Sequence, residues 1–206
     1  MKTKTISLYE FDELSPYAKE RAREWWRECE AQDFGNYNDF NEPIETAAKI
    51  LGITFKTRPV PLMSGKTRYE SKVWWTLHTQ GAGASYDATY SYAKGSCKAI
   101  RAEFPTDTKL HAIADGLRDI ERKYRYRITA NIAADHRGHW MMIEYDAGIS
   151  REDEETMYGL FRSFARWIFD YINAEWDYCM SDENVDGVIR ANEYMFTVNG
   201  KREDME

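Results

Sequence analysis

Cysteine is scarce in this 206-residue chain: Cys29, Cys97 and Cys179 are three in number and far apart. An odd, dispersed set does not make a disulfide framework and fits a reducing compartment, so free thiols are expected. Long apolar runs are missing as well. No segment approaches the ~18 consecutive apolar residues of a membrane-spanning helix. The opening MKTKTISLYEF has no apolar core of the kind a secretory signal carries, so a cytoplasmic protein is expected. Positive charge is outweighed, with 28 Lys and Arg against 35 Asp and Glu for a formal net charge of −7. Grip on a phosphate backbone comes from cations that displace counterions, so that total argues against direct binding of duplex nucleic acid. There is no internal repeat, linker or low-complexity run, and at this length one domain is the expectation.

What the chain has in surplus is aromatic residues, 15% of the total with 7 Trp and 14 Tyr, which supplies ample material for a core and excludes global disorder. Ile6 and Leu8 alternate with Thr5, Ser7 and Tyr9 as an opening strand would. Ser15 followed by Pro16 reads as an N-cap and first helical position; Ala18, Ala22, Trp25, Trp26 and Cys29 then share one face, with Lys19, Arg23 and Arg27 opposite. A second helix is predicted from about residue 40 to 51, ended by Gly52. A third spans 106–124 on the stripe Leu110, Ile113, Leu117 and Ile120, with Gly116 as a moderate cost. The longest starts at Ser150 with an acidic first turn and buries Met157, Leu160, Phe161, Phe164, Trp167, Ile168 and Tyr171. A Ser-capped short helix follows, then a strand that ends at the turn pair Asn199-Gly200.

The segments between them read as strands. Pro59 and Pro61 confine the extended ITFKTRPVPL to a sheet edge or remove it from the sheet. YESKVWWTLHT and ASYDATYSYAKG form a hairpin around a glycine loop, and the alternating runs around DHRG form another. Helices alternating with hairpins predict an α+β fold, a largely antiparallel sheet with helices against one face.

The stretch richest in polar and aromatic candidates is HTQGAGASYDATYSYAKG, residues 78–95. Gly81 and Gly83 would let a ligand or a partner's backbone approach, His78, Gln80, Ser85 and Asp87 would supply polar contacts, and Tyr86, Tyr90 and Tyr92 run along a strand. A hairpin turn with a tyrosine face accounts for the same residues without a ligand. The glycines match neither the dinucleotide nor the phosphate-loop fingerprint. Trp74 and Trp75 are adjacent on a strand and face opposite ways, so one is an exposed interface anchor unless a bulge or a helix intervenes. Asp135, His136 and His139 suggest metal ligands, but Gly138 marks a turn and no Cys pair or HExxH helix completes a set, so no metal is expected. Cys97 has no identifiable partner His and reads as packing, and the run Glu152, Asp153, Glu154 and Glu155 suits the positive end of a helix dipole. No catalytic residue and no cofactor are expected.

YEFDELSPYAKERAREWW, QGAGASYDATYSYAKG and ANEYMFTVNGKR together resemble a group of small proteins found in bacteriophage and prophage genomes, some labelled antitoxin-like. That group usually has QGDGA where this chain has Gln80-Gly81-Ala82-Gly83-Ala84, so the loop carboxylate is absent here. The resemblance implies a phage accessory protein acting on a host system, and it identifies no catalytic residue. Joined to the acidic charge, the surplus aromatics and the lack of a coherent catalytic set, it leads to a specific expectation. The protein would be non-enzymatic, located in the host cytoplasm, and would bind and modulate a host protein or complex such as a toxin or an antiviral defence component. Its contact surface would be the hairpin from Gln80 to Tyr92 with Trp74 or Trp75. Two alternatives stand beside it: a small-molecule or nucleotide binder, or an enzyme, using His78, Gln80 and Tyr86 at the glycine loop, and an acidic mimic of nucleic acid with Asp and Glu spaced along one face.

Overall fold

The structure is a computed structural model of the chain and describes residues 6–34, 41–77, 81–134, 141–146 and 148–202. In chain order these form β1 (Tyr9–Glu10), α1 (Pro16–Asp33), α2 (Asn41–Leu51), β2 (Ile53–Phe55), β3 (Thr57–Pro61), β4 (Thr67–Ser71), β5 (Val73–Thr76), β6 (Gly83–Tyr86) and β7 (Ala88–Ser91). They continue with α3 (Ser96–Glu103), α4 (Thr108–Lys123), β8 (Thr129–Ala134), β9 (Met141–Tyr145), α5 (Arg151–Cys179), α6 (Asp182–Ala191) and β10 (Met195–Phe196). The named strand pairs are all antiparallel, so the fold is α+β as the alternation of helices and hairpins predicts. The helix α3 is the one the sequence reading did not anticipate. Contacts divide the chain into two units, one of Met1–Asp39 with Ala174–Glu206 and one of Phe40–Asn173.

The first unit is organised on α1. Ser15 caps it as expected, its Oγ accepting the Ala18 N–H at 3.3 Å, and Pro16 begins the first turn. Ala18 and Ala22 pack with Phe11, Leu14, Val185, Ile189 and Phe196 in a buried apolar cluster. Small residues suit this face because the returning chain comes close. A Cβ at Gly200, where φ is +75°, would stand 2.0 Å from the Ala18 carbonyl oxygen, which fixes the Asn199-Gly200 turn where the sequence puts it. Trp25 meets Tyr194 edge-on at 5.3 Å and Phe196 at 5.8 Å, and the Arg202 guanidinium lies 4.8 Å from Trp25 and 4.5 Å from Tyr194. Ion pairs tie the polar face of α1 to α6: Arg23 donates two bonds to Asp186, at 2.7 and 2.9 Å, and Arg27 reaches Asp182. The hydrogen bond from Arg23 holds the Asp186 carboxyl below its usual range.

In the second unit a four-stranded sheet, ordered β2-β7-β8-β9, aligns Ile53, Tyr90, Ala130 and Tyr145 in one row and Thr54, Thr89, Asn131 and Glu144 in the next. Opposed residues share a face and successive ones alternate, so one side is apolar and the other polar. The apolar side packs on α5, with Tyr90 against Phe161 at 5.1 Å and Phe55 against Phe164 at 6.5 Å. The predicted α4 stripe of Leu110, Ile113, Leu117 and Ile120 is buried. Leu160 and Tyr171, expected in the core, are only half-buried. Leu160 lies over Gly116, where a Cβ would meet its Cδ2 at 2.7 Å, the end of a half-buried side chain that can turn aside.

Candidate functional site

Three stretches of the chain, 53–61, 67–76 and 83–91, would each be one strand but for a break at Lys56, Lys72 and Asp87. At each break the strand changes partner: β2 pairs with β7, β3 with β4, and β5 with β6. The three break residues close a ring. Lys56 N–H donates to the Asp87 carbonyl at 2.9 Å, Asp87 N–H to the Lys72 carbonyl at 2.9 Å, and Lys72 N–H to the Lys56 carbonyl at 2.7 Å. Backbone groups that a splitting sheet would orphan thereby satisfy one another. Side chains brace the ring: Lys72 Nζ lies 3.4 Å from Asp87 Oδ2, the Ala134 N–H donates to Asp87 Oδ1 at 2.9 Å, and Lys56 Nζ donates to Asn131 Oδ1 at 2.6 Å. Two hairpins leave it, β3–β4 and β5–β6.

The hairpin β5–β6 is the one predicted around the glycine loop, with Trp74 opposite Ser85 and Trp75 opposite Ala84. His78 and Gln80 lie outside the described residues. Gly81 has φ +103°, a value its turn can take only cheaply as glycine, and Gly83 is a half-buried strand residue. Ala84, Ser85 and Tyr86 are all buried. Because successive strand side chains point to opposite sides, both faces of β6 are covered. Ser85, Tyr86 and, one strand on, Tyr90 are therefore core residues, which corrects their reading as surface contacts. The Tyr86 hydroxyl donates to the Phe161 carbonyl at 3.2 Å, and burial pushes its phenol well above the usual value. Trp74 and Trp75 are both half-buried, so neither is the solvent-facing anchor that alternation alone suggests.

The hairpin β3–β4 forms where the sequence reads only an extended edge segment. Its register, Arg58↔Glu70, Pro59↔Tyr69 and Val60↔Arg68, sorts the arm into two faces. One carries Arg58, Val60, Arg68 and Glu70; the other, Thr57, Pro59, Pro61, Thr67, Tyr69 and Ser71, has no charge. Glu70 pairs with Arg58 at 3.3 Å and with Arg68, which together lower its carboxyl pKa. The bonds Lys72 N–H to Lys56 and Leu62 N–H to Lys66 set the even-numbered residues facing across the arm. Pro59 and Pro61 consequently sit where an N–H would point outward, and its lack denies that edge to an added strand. Apart from Ser71, which is half-buried and donates to Glu45 Oε1 at 2.6 Å, the uncharged face and the tip are open to solvent: Tyr69 is 69% exposed, Leu62 40%, and Met63 fully.

Tyr92, the last of the predicted tyrosines, is half-buried and lies against Tyr126 in a tilted contact, with ring centroids 4.7 Å apart and 34° between the rings. Tyr126 belongs to the turn between α4 and β8; residues 122–127, the last two of α4 and the first four of this turn, read RKYRYR, a run the sequence reading passed over. Arg125 and Tyr126 both have positive φ, +57° and +60°. That conformation costs a residue with a side chain about 1 kcal/mol or more. Glu121 holds the turn: its carbonyl accepts the Tyr124 N–H at 3.1 Å and the Tyr126 N–H at 2.8 Å, and its Oε2 accepts the Ile128 N–H at 3.3 Å. Its side chain is buried, and burial raises its pKa.

Residues 36–182 match the family described as Domain of unknown function (DUF8835). The chain belongs to that family. No curated protein and no solved structure matches it. The DUF8835 region takes in the whole of the second unit, and with it the ring, both hairpins and the RKYRYR turn.

Other residues singled out in the sequence within this region have structural partners. Cys97 is half-buried, its Sγ bonds the Ala114 carbonyl at 3.3 Å, and burial raises its thiol pKa, the opposite of an activated nucleophile. Asp153 takes the Lys123 ammonium at 2.7 Å and the Tyr124 hydroxyl at 2.8 Å. Asp135, His136, Gly138 and His139 lie outside the described residues. Among the described residues no group of three His, Cys, Asp or Glu is placed to hold a metal ion, and no helix is long and apolar enough to cross a membrane.

Proposed function

We propose that this protein is a non-enzymatic binding protein that docks onto a partner protein through the uncharged face and tip of the β3–β4 arm. One observation carries this reading: a two-stranded ribbon, the kind of element that is marginal in water by itself, holds Leu62, Met63 and Tyr69 in solvent beside Pro59 and Pro61. Exposed apolar and aromatic groups gathered in one place mark interaction sites. The resemblance to phage and prophage proteins supports a host protein or complex as the partner, the host cytoplasm as the compartment and modulation of that partner as the role. The contact surface differs from the one expected between Gln80 and Tyr92 because β6 and Tyr90 belong to the core.

Photo-crosslinking in host cells, from a reactive residue placed at 63, 69 or 17, tests the proposal. Tyr17 is the control, being 73% exposed and in the first unit. The expected result is one protein adduct formed from 63 and from 69 but not from 17. Adducts that are absent, or alike at all three positions, would remove the arm from consideration.

A further inference from the structure

Carboxylates neutralise several arginines among the described residues of the second unit. Arg58 and Arg68 share Glu70, Arg101 and Arg118 share Asp115, and Arg151 pairs with Glu155. A cleft of about 320 Å³ between α4 and α5 has Leu160 and Trp167 in its wall, but its rim cations Lys109 and Arg166 both pair with Asp170. Arg122, Arg125 and Arg127 differ: all three are exposed, and none forms an ion pair with a described residue. They lie within six residues of chain, interleaved with Tyr124 and Tyr126.

We propose that this turn binds a nucleobase linked to phosphate, the chemistry shared by single-stranded nucleic acid and free nucleotides. Tyr126 turns one ring face to Tyr92 yet remains 48% exposed, which leaves a ring surface for a base to stack on. Stacking of this kind accepts any base, and unpaired guanidinium groups are suited to phosphate oxygens through paired N–H donors. The positive φ at Arg125 and Tyr126, held by Glu121, presents ring and cations on a fixed backbone. A duplex, with its bases stacked inside, offers no free base face to the tyrosine. This site is separate from the arm and does not rest on the docking reading.

Fluorescence anisotropy of a labelled oligo(dT), titrated with the full chain over a salt series, tests the site. Three phosphates at about −0.7 each give an expected log–log slope of affinity on salt of about −2. Tyr126→Leu should weaken binding roughly tenfold or more through loss of stacking. The combined Arg122→Gln/Arg125→Gln/Arg127→Gln variant should lose the salt dependence. Competition separates the two sources: displacement by thymidine monophosphate at similar concentration supports a nucleotide, and resistance to it supports a single strand. No binding at low salt would overturn the proposal, as would affinity unchanged in both variants. Displacement by poly-glutamate with Tyr126→Leu unaltered would also overturn it and point to an acidic protein. Because the slope and the competition use wild-type protein, the test holds even where a variant fails to fold.

Discussion

The first unit contains nine Lys and Arg against eighteen Asp and Glu, whereas the second contains nineteen against seventeen. The formal −7 of the chain is therefore −9 in one unit and +2 in the other. A whole-chain total is an average, and its argument against contact with phosphate applies only to the unit that holds the acidity. The use of charge differs too. In the first unit Asp12, Glu20, Asp182 and Asp186 bind Lys19, Arg23, Arg27 and Arg190 and tie elements together. In the second unit Arg122, Arg125 and Arg127 form no ion pair with a described residue, and an uncharged face stands on one arm.

The comparison breaks hardest at the glycines where each unit's chain approaches itself. Gly200→Ala places a methyl 2.0 Å from the Ala18 carbonyl oxygen, and Gly52→Ala places one 2.1 Å from the Ser91 carbonyl oxygen, both at positive φ. Each should cost about 3 kcal/mol or more. Amide hydrogen exchange locates the loss. If the units are separately stabilised, Gly200→Ala deprotects α1 and α6 while Gly52→Ala deprotects the four-stranded sheet; loss throughout the chain from either would make them one cooperative body.

Next in size is Asp186→Asn, which weakens a pair whose side chains are only 19% and 16% exposed and should cost about 1–3 kcal/mol at neutral pH. The folded pKa of Asp186 lies below its ordinary 3.8, so its contribution is complete above that value and is lost as pH falls toward the folded one. Denaturant melts followed by tryptophan fluorescence should show the variant's deficit shrinking in acid; a deficit constant with pH would mean the pair is not what stabilises α6. Glu121→Gln in the second unit runs the other way. Burial raises Glu121 above its ordinary 4.5, so the folded state holds that proton more tightly and the wild type loses stability as pH rises through the window above 4.5. The always-neutral variant should gain on the wild type across that window and then stay level. Smallest is Met63→Asp, which should shift stability by no more than about 0.5 kcal/mol because the side chain is fully exposed. A larger loss in a thermal melt would mean the fold needs that contact.

Features written in a few neighbouring residues were legible in advance. The caps at Ser15 and Ser181 and the α4 stripe lie where local pattern puts them, because each depends on contacts within a few residues or on one amphipathic period. The partner switch at Lys56, Lys72 and Asp87 was not legible: no glycine or proline marks it, and it exists only when three distant backbones meet. The same limit moved the candidate site. Tyr86 and Tyr90 look like a displayed aromatic row until α5 covers them, a fact of packing rather than of alternation. The turn at Arg125 and Tyr126 contains no glycine to announce positive φ, although RKYRYR carried a signal in its interleaved cations and tyrosines.

The ring of three backbone hydrogen bonds also makes the β3–β4 arm an exchangeable part. Its root is closed by Lys56 and Lys72, and no strand beyond the ring takes its register from β3 or β4 among the described residues. Adding two residues to each strand would keep the alternation of faces and leave the sheet β2-β7-β8-β9 as it is. Arm length and tip sequence can accordingly drift, or be grafted, while the body that carries them stays folded.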